Sequence, residues 1–325
     1  MFMKYLEKIY ILLIAAVIMI LCLSFRSQAS GSAFCENPWF LEDIHACDGW
    51  NVFASSKTDF SEPVTVAVID TGCDYSHPLI ANALWSNTAE LNGSEGVDDD
   101  GNGYIDDIYG IDTCNQDSDP LDDSVGAIKG HGTHVAGTIL QTAGVTLTEN
   151  PFCIRLMLLK AGDSYGNFDA AHVAESVRYA VDNGASVINM SISSVKAPSV
   201  LEEALKYASD SAILVASAGN KGLPTRDSSY TACADYYPAG YPFVAGVMSY
   251  GADHVLSDFS NWDFQPNAGA EYEIAAPGEA ICSCTYHAAY KTMKGTSMAS
   301  GIVSGCAARF CRQNISIPGF TLTGT

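Results

Sequence analysis

Four short segments of this chain place reactive side chains where a backbone can present them. Val66-Ala67-Val68-Ile69 closes on Asp70, followed by Thr71-Gly72, and the carboxyl end of an apolar strand is where α/β proteins gather their sites. Gly130-His131-Gly132-Thr133-His134 sets two imidazoles three residues apart, with glycines that let other groups approach the first one closely. Gly295-Thr296-Ser297-Met298-Ala299 opens a run of small residues with a hydroxyl at its head, where a helix dipole favours negative charge. Val215-Ala216-Ser217-Ala218-Gly219-Asn220 runs a strand into a side-chain amide. Each has an ordinary explanation alone: Asp70 and Asn220 as turn formers, Thr296 or Ser297 as a helix cap. Together, a carboxylate, an imidazole, a hydroxyl and an amide are the parts of a nucleophilic acyl transfer. A zinc site on His131 and His134 is the rival, but the spacing is not H-E-x-x-H and no glutamate intervenes.

The elements that must position these groups read as a parallel sheet covered by helices. Continuous apolar runs predict strands at Val64–Ile69, Ile154–Leu159, Ser186–Met190, Ala212–Ala218 and Phe243–Val247, as expected of strands buried on both faces. Ala171–Asn183 carries Val173, Val177 and Ala180 at helical spacing and stops at Gly184, a crossover helix. Thr296–Phe310 predicts a second helix, tightly packed. No internal repeat or long linker divides the chain, so one large α/β domain is expected.

Sixteen basic against 37 acidic residues give a net charge of −21, a field that repels nucleic acid and anionic lipid surfaces. Lys4 and Lys8, an apolar run from Ile9 to Leu23, and Ser27-Gln28-Ala29 lay out an export signal over residues 1–29. The apolar run is shorter than the roughly 20 residues of a stable span, and a membrane enters only if this segment stays uncleaved as an anchor. Residues 30–325 are then exported. Of the eleven cysteines, Cys22 lies inside the signal and leaves an even remainder outside it, which permits disulfides. Cys282 and Cys284, one residue apart, suit opposite faces of a strand better than a mutual bond.

A second concentration of chemistry is Gly96–Tyr109, GVDDDGNGYIDDIY. Asp98, Asp100, Asn102 and Asp106 fall at positions 1, 3, 5 and 9 of a calcium-loop pattern, with Gly103 at the turn and Tyr104 offering its carbonyl. Position 12 is Tyr109 in place of the bidentate glutamate, so this is not a complete EF-hand. Carboxylates this dense repel one another without a cation, and structural Ca2+ is the expected cofactor; a solvated acidic loop is the bland reading.

The wording DTG, HGTHVAG, SAGN and GTSMAS, in that order, resembles the subtilisin-like serine proteases over about Pro38 to Ala308. The resemblance implies a three-layer α/β/α fold with a mainly parallel central sheet. It implies that Asp70, His131 and Ser297 form a catalytic triad, with Asn220 and a backbone amide near Ser297 holding the oxyanion. It implies protein or peptide substrates paired in extended form, with Ser191, Ile192 and Ser193 lining one side of the primary specificity pocket, Gly166 to Phe168 bordering a more distal one, and Gly219 also among the substrate-binding residues. His134 is read as structural. Calcium stabilisation is common in that family.

The chain also departs from the family pattern. Ser300-Gly301 stands where Ser-Pro or Thr-Pro usually follows the nucleophile. The stretch between the export segment and Asp70's strand is too short for a folding propeptide, and the end at Thr325 leaves less chain after Ser297 than relatives carry. Two readings follow: an active endopeptidase, and a catalytically silent subtilase fold acting as a calcium-dependent binding or surface protein. The intact Asp70, His131, Asn220 and Ser297 favour the first.

Overall fold

The computed structural model describes residues 38–46, 48, 50, 63–150, 154–225, 235–263 and 272–311. The export segment 1–29 and cysteines 22, 35, 47, 153 and 233 lie outside them.

In chain order the described elements are α1 (Trp39–Asp43), β1 (Val64–Asp70), α2 (Pro78–Ala81), α3 (Thr88–Asn92), β2 (Gly110–Asp112), α4 (His131–Ala143), β3 (Ile154–Lys160) and α5 (Ala170–Asp182), then β4 (Val187–Met190), α6 (Ser199–Ser209), β5 (Ile213–Ser217), β6 (Ala245–Tyr250), β7 (Ile274–Pro277), β8 (Ile281–Thr285), β9 (Ala289–Met293) and α7 (Thr296–Cys311). Seven strands form one sheet in the order β2-β3-β1-β4-β5-β6-β7, every pair parallel. The order turns around β1: the chain winds outward to β3 on one side and to β4 on the other. Ligands bind at such switch points, beyond the carboxyl ends of the strands.

Alternation along β1 divides the core into two. Val64, Val66 and Val68 face a cluster with Val135 and Ile139 of α4 and Met298 and Ile302 of α7. Ala67 and Ile69 face the opposite cluster, with Val173 and Val177 of α5 and Leu201 and Leu205 of α6. The period-2 geometry of a strand sends successive side chains to opposite faces, so an unbroken apolar run is what a sheet covered on both sides requires. The result is the expected three-layer α/β/α arrangement.

All five predicted strands and both predicted helices are present with ends shifted by one to three residues, the largest shift at the strand expected over Phe243–Val247 and found at Ala245–Tyr250. The Ala171–Asn183 helix begins at Ala170 because Asp169 accepts the Ala171 amide at 2.8 Å as its cap. Lys160, 1% exposed at the end of β3, closes on Asp112 at 2.6 Å, so its buried charge is paired. Cys282 is disulfide-bonded and Cys284 is a free, buried thiol; the partner of Cys282 lies outside the described residues. No helix among the described residues is long and apolar enough to cross a membrane.

Candidate active site

Asp70 is the last residue of β1 and 1% exposed. Its Oδ1 accepts the Thr71 amide at 2.8 Å and pairs with His131 Nδ1 at 2.7 Å, while its Oδ2 is buried without a partner. Because Nδ1 carries the proton toward a carboxylate, Nε2 is left as the acceptor facing outward. Burial pulls the His131 pKa down, but the Asp70 charge, the Asp70 hydrogen bond and the charge of Asp122 together hold it above the ordinary imidazole value.

His131 is the first residue of α4. A Cβ on Gly132 would fall 2.1 Å from the Gly72 carbonyl and 3.0 Å from Asp70 Cβ. Only glycine lets the start of α4 approach the turn after β1 this closely. Asp122, 2% exposed, fixes the approach: its carboxylate accepts the Ser124 amide at 2.8 Å and the Gly130 amide at 3.0 Å.

Ser297 lies in the first turn of α7 and is 6% exposed. Its Oγ donates to the Ser191 carbonyl at 3.3 Å and makes no hydrogen bond to His131. Its amide has no hydrogen bond among the described residues, one of the unspent donors that every helix start leaves. Asn220 follows β5. Its Oδ1 accepts both the Thr296 amide and Thr296 Oγ1 at 2.9 Å, which spends the carbonyl side of the amide and leaves Nδ2 as a donor. Thr296 Oγ1 in turn accepts the Gly219 amide at 3.1 Å.

A buried network lies beneath Ser297. Ser191 Oγ accepts from Asn189 Nδ2 at 2.9 Å and lies 3.0 Å from Ser300 Oγ, and Ser304 Oγ donates to Asn189 Oδ1 at 2.9 Å. Ser300 and Ser304 thus tie one face of α7 to the end of β4.

The structure brings Gly166, Phe168, Ile192 and Ser193 together around a cavity of about 490 Å³, closed by Leu201 and Tyr237. Gly219 does not line this cavity, but Ser193 Oγ lies 3.3 Å from where a Gly219 Cβ would stand. A larger cavity of about 870 Å³ lies between the 102–109 and 112–120 segments and contains none of Asp70, His131, Asn220 or Ser297.

His134 stands apart from this chemistry. It is fully buried, with Nε2 shared between the carbonyls of Ile281 at 3.1 Å and Lys291 at 3.0 Å, and burial drives its pKa down to about 4. It is a neutral tie between α4 and the β8–β9 hairpin.

The acidic loop departs in detail from the position-by-position expectation. Carboxylate oxygens of Glu90, Asp98 and Asp100 lie within 4.8 Å of one another, so Asp98 and Asp100 are joined by a residue from α3. Glu90 is 4% exposed and accepts the amides of Asp99 and Asp100 through Oε1 and that of Asp106 through Oε2. Asn102 Oδ1 accepts the Tyr104 amide and Asp106 Oδ2 the Gly96 amide, both at 2.8 Å, so one side chain holds a local turn and the other ties the two ends of the loop together. Three clustered carboxylates form a hard oxygen donor set suited to a hard divalent cation.

An α/β sheet with an acid at the end of β1, an imidazole at the start of α4 and a hydroxyl at the start of α7 defines a class of hydrolase folds, and residues 61–321 match the subtilase family. The chain belongs to that family. It is 33% identical over 280 residues to the major intracellular serine protease of Bacillus subtilis (strain 168), covering 84% of this chain and 74% of that protein. It is 30% identical over 289 residues to subtilisin-like protease 1 of Plasmodium berghei (strain Anka), covering 82% of this chain and 47% of that protein. A crystal structure of a cold adapted subtilisin-like serine proteinase superimposes with a TM-score of 0.57 at 29% identity, over 80% of this chain and 79% of the other. The chain thus spans about half the length of the Plasmodium relative and three quarters of the Bacillus one.

Proposed function

We propose that this chain is a serine endopeptidase that hydrolyses peptide bonds through an acyl-enzyme. The observation that carries the reading is the 2.7 Å hydrogen bond between His131 Nδ1 and the buried carboxylate of Asp70, which fixes the tautomer a general base needs. Ser297 Oγ transfers its proton to His131 Nε2 as it attacks the scissile carbonyl, turning away from Ser191 O to do so. His131 then returns that proton to the leaving amine, and a water molecule repeats the sequence to release the acid. Asp70 remains ionised and stabilises the imidazolium. The oxyanion of each tetrahedral intermediate is held by Asn220 Nδ2 and the Ser297 amide, donors that are otherwise unspent and cost no reorganisation at the moment of reaction.

Substrates are proteins or peptides bound in extended form. The cavity shared by Gly166, Phe168, Ile192 and Ser193 accepts a side chain some distance from the cut, and Ser191, Ser193 and Gly219 border the residue at the cut. Export through residues 1–29 is part of the proposal, and the disulfide at Cys282 supports it, because such bonds persist outside reducing compartments. A structural Ca2+ is proposed at the acidic loop with Glu90, Asp98 and Asp100 as its carboxylates. It supplies charge neutralisation to the loop and takes no part in peptide hydrolysis.

A fluorescent serine-directed phosphonate tests the central claim. The chain is expected to label covalently, and Ser297→Ala is expected to abolish labelling while leaving the fold intact by circular dichroism. Absence of labelling from a folded native chain would move the assignment to a silent binding fold.

A further inference from the structure

We infer that Asn261 is the positioning residue for the oxyanion donor: it shapes the turn that aims the Asn220 amide, without touching Asn220 itself. The inference rests on the reading of Asn220 as that donor. Asn261 lies far along the chain, after β6, and is 0% exposed. Its backbone amide donates to the Gly219 carbonyl at 2.9 Å. Its Nδ2 donates to the Ala218 carbonyl at 2.9 Å. Its Oδ1 accepts from the amides of Lys221 at 3.0 Å and Leu223 at 3.1 Å. One buried residue therefore holds the backbone on both sides of Asn220 and leaves Asn220 free between the two grips.

Two further features show that the turn is built around this side chain. Gly219 has φ +101°, and a Cβ there would stand 2.5 Å from Asn261 Nδ2, so glycine is required both by its backbone and by the space Asn261 occupies. The flanking residues close the same seam: Gly222 donates to the Phe259 carbonyl at 2.8 Å and Trp262 to the Leu223 carbonyl at 3.0 Å. The Asn220 side chain is fixed independently through Thr296. Thr296 thus sets the rotation of the amide and Asn261 sets the place of its backbone. A donor of this kind must meet a charge that exists only in the transition state, so a small displacement of the turn weakens kcat and leaves ground-state binding nearly untouched.

The test is a cycle on the full chain. Asn261→Asp keeps the shape and both acceptor roles but loses the donation to Ala218. Asn261→Ser, with one hydroxyl, is carried alongside so that a folding defect in either variant does not silence the comparison. Each is made in the native chain and with Asn220→Ala, and kcat and KM are read on an apolar tetrapeptide p-nitroanilide, with thermal midpoints as a control. Asn220→Ala alone is expected to lower kcat about 10²-fold to 10³-fold. Asn261→Asp is expected to lower kcat on the order of 10-fold with KM nearly constant, and to add almost nothing once Asn220 is alanine. An equal further loss in the Asn220→Ala background would overturn the positioning role while leaving the donor assignment standing. A kcat indifferent to Asn220→Ala would overturn the donor assignment and the inference with it.

Discussion

Thr296 Oγ1 donates to Asn220 Oδ1 at 2.9 Å and at the same time accepts the Gly219 amide at 3.1 Å, so the residue before Ser297 also orients the Asn220 amide. Replacing that hydroxyl by a methyl group removes both bonds and keeps the volume. Thr296→Val is expected to lower kcat about tenfold, on the order of 1.4 kcal/mol of transition-state stabilisation, with KM little changed. Steady-state kinetics on a peptide p-nitroanilide check it; a rise in KM at constant kcat would instead mean that Thr296 serves substrate binding.

The environment of His131 sets the acid limb of the pH profile. In the proposed role its imidazole is neutral when it takes the Ser297 proton, and its pKa lies above the ordinary 6.5 because the attraction of Asp70 and Asp122 outweighs burial. The rate constant kcat/KM is therefore expected to rise with pH through a midpoint above 6.5. Removing the Asp122 charge as Asp122→Asn is expected to move that midpoint down, since one of the two negative charges favouring the imidazolium is gone. A midpoint that stays fixed would show Asp122 acting only through its grip on the Gly130 amide.

The acidic loop predicts a metal-dependent stability. A cation that binds the folded chain alone, at about 100 times its dissociation constant, stabilises by about 2.7 kcal/mol. Chelation of calcium is expected to lower the thermal midpoint and its return to restore it. Glu90→Gln and Asp100→Asn are expected to blunt the response, whereas Asp106→Asn, whose carboxylate accepts the Gly96 amide, is expected to alter it less. Differential scanning fluorimetry with and without chelator reads all three, and identical midpoints throughout would remove calcium from the account.

The sheet and the placement of the four candidate residues are legible because each signal is local. Apolar runs of strand length mark strands buried on both faces, and Asp70, His131, Asn220 and Ser297 each sit at an element end that their own neighbours announce. The supports were not legible, since they act over distance. Asn261 reaches Lys221 across 40 residues, and Glu90 joins Asp98 and Asp100 from α3, outside any calcium-loop pattern. Short or exposed elements also escaped. β9 alternates weakly and is largely solvent-facing, and β2 has three residues. The α6 helix has its periodicity in the open, with Leu201, Ala204, Leu205 and Ala208 on one buried face, and lies outside the two helices that the sequence predicts.

His134 yields a prediction about stability separate from catalysis. Burial lowers its pKa from 6.5 to about 4, so the folded chain resists a proton that the unfolded chain accepts. The contribution is therefore fully present above pH 6.5, falls as pH drops from 6.5 toward 4, and is spent below that. The loss is on the order of 3 kcal/mol at most. His134→Gln keeps a donor within reach of the Ile281 and Lys291 carbonyls but cannot titrate. It is expected to start from a lower midpoint at neutral pH and to show a shallower decline between pH 6.5 and 4. Thermal melts across that window decide the matter, because parallel declines in the two proteins would assign the acid sensitivity to other groups.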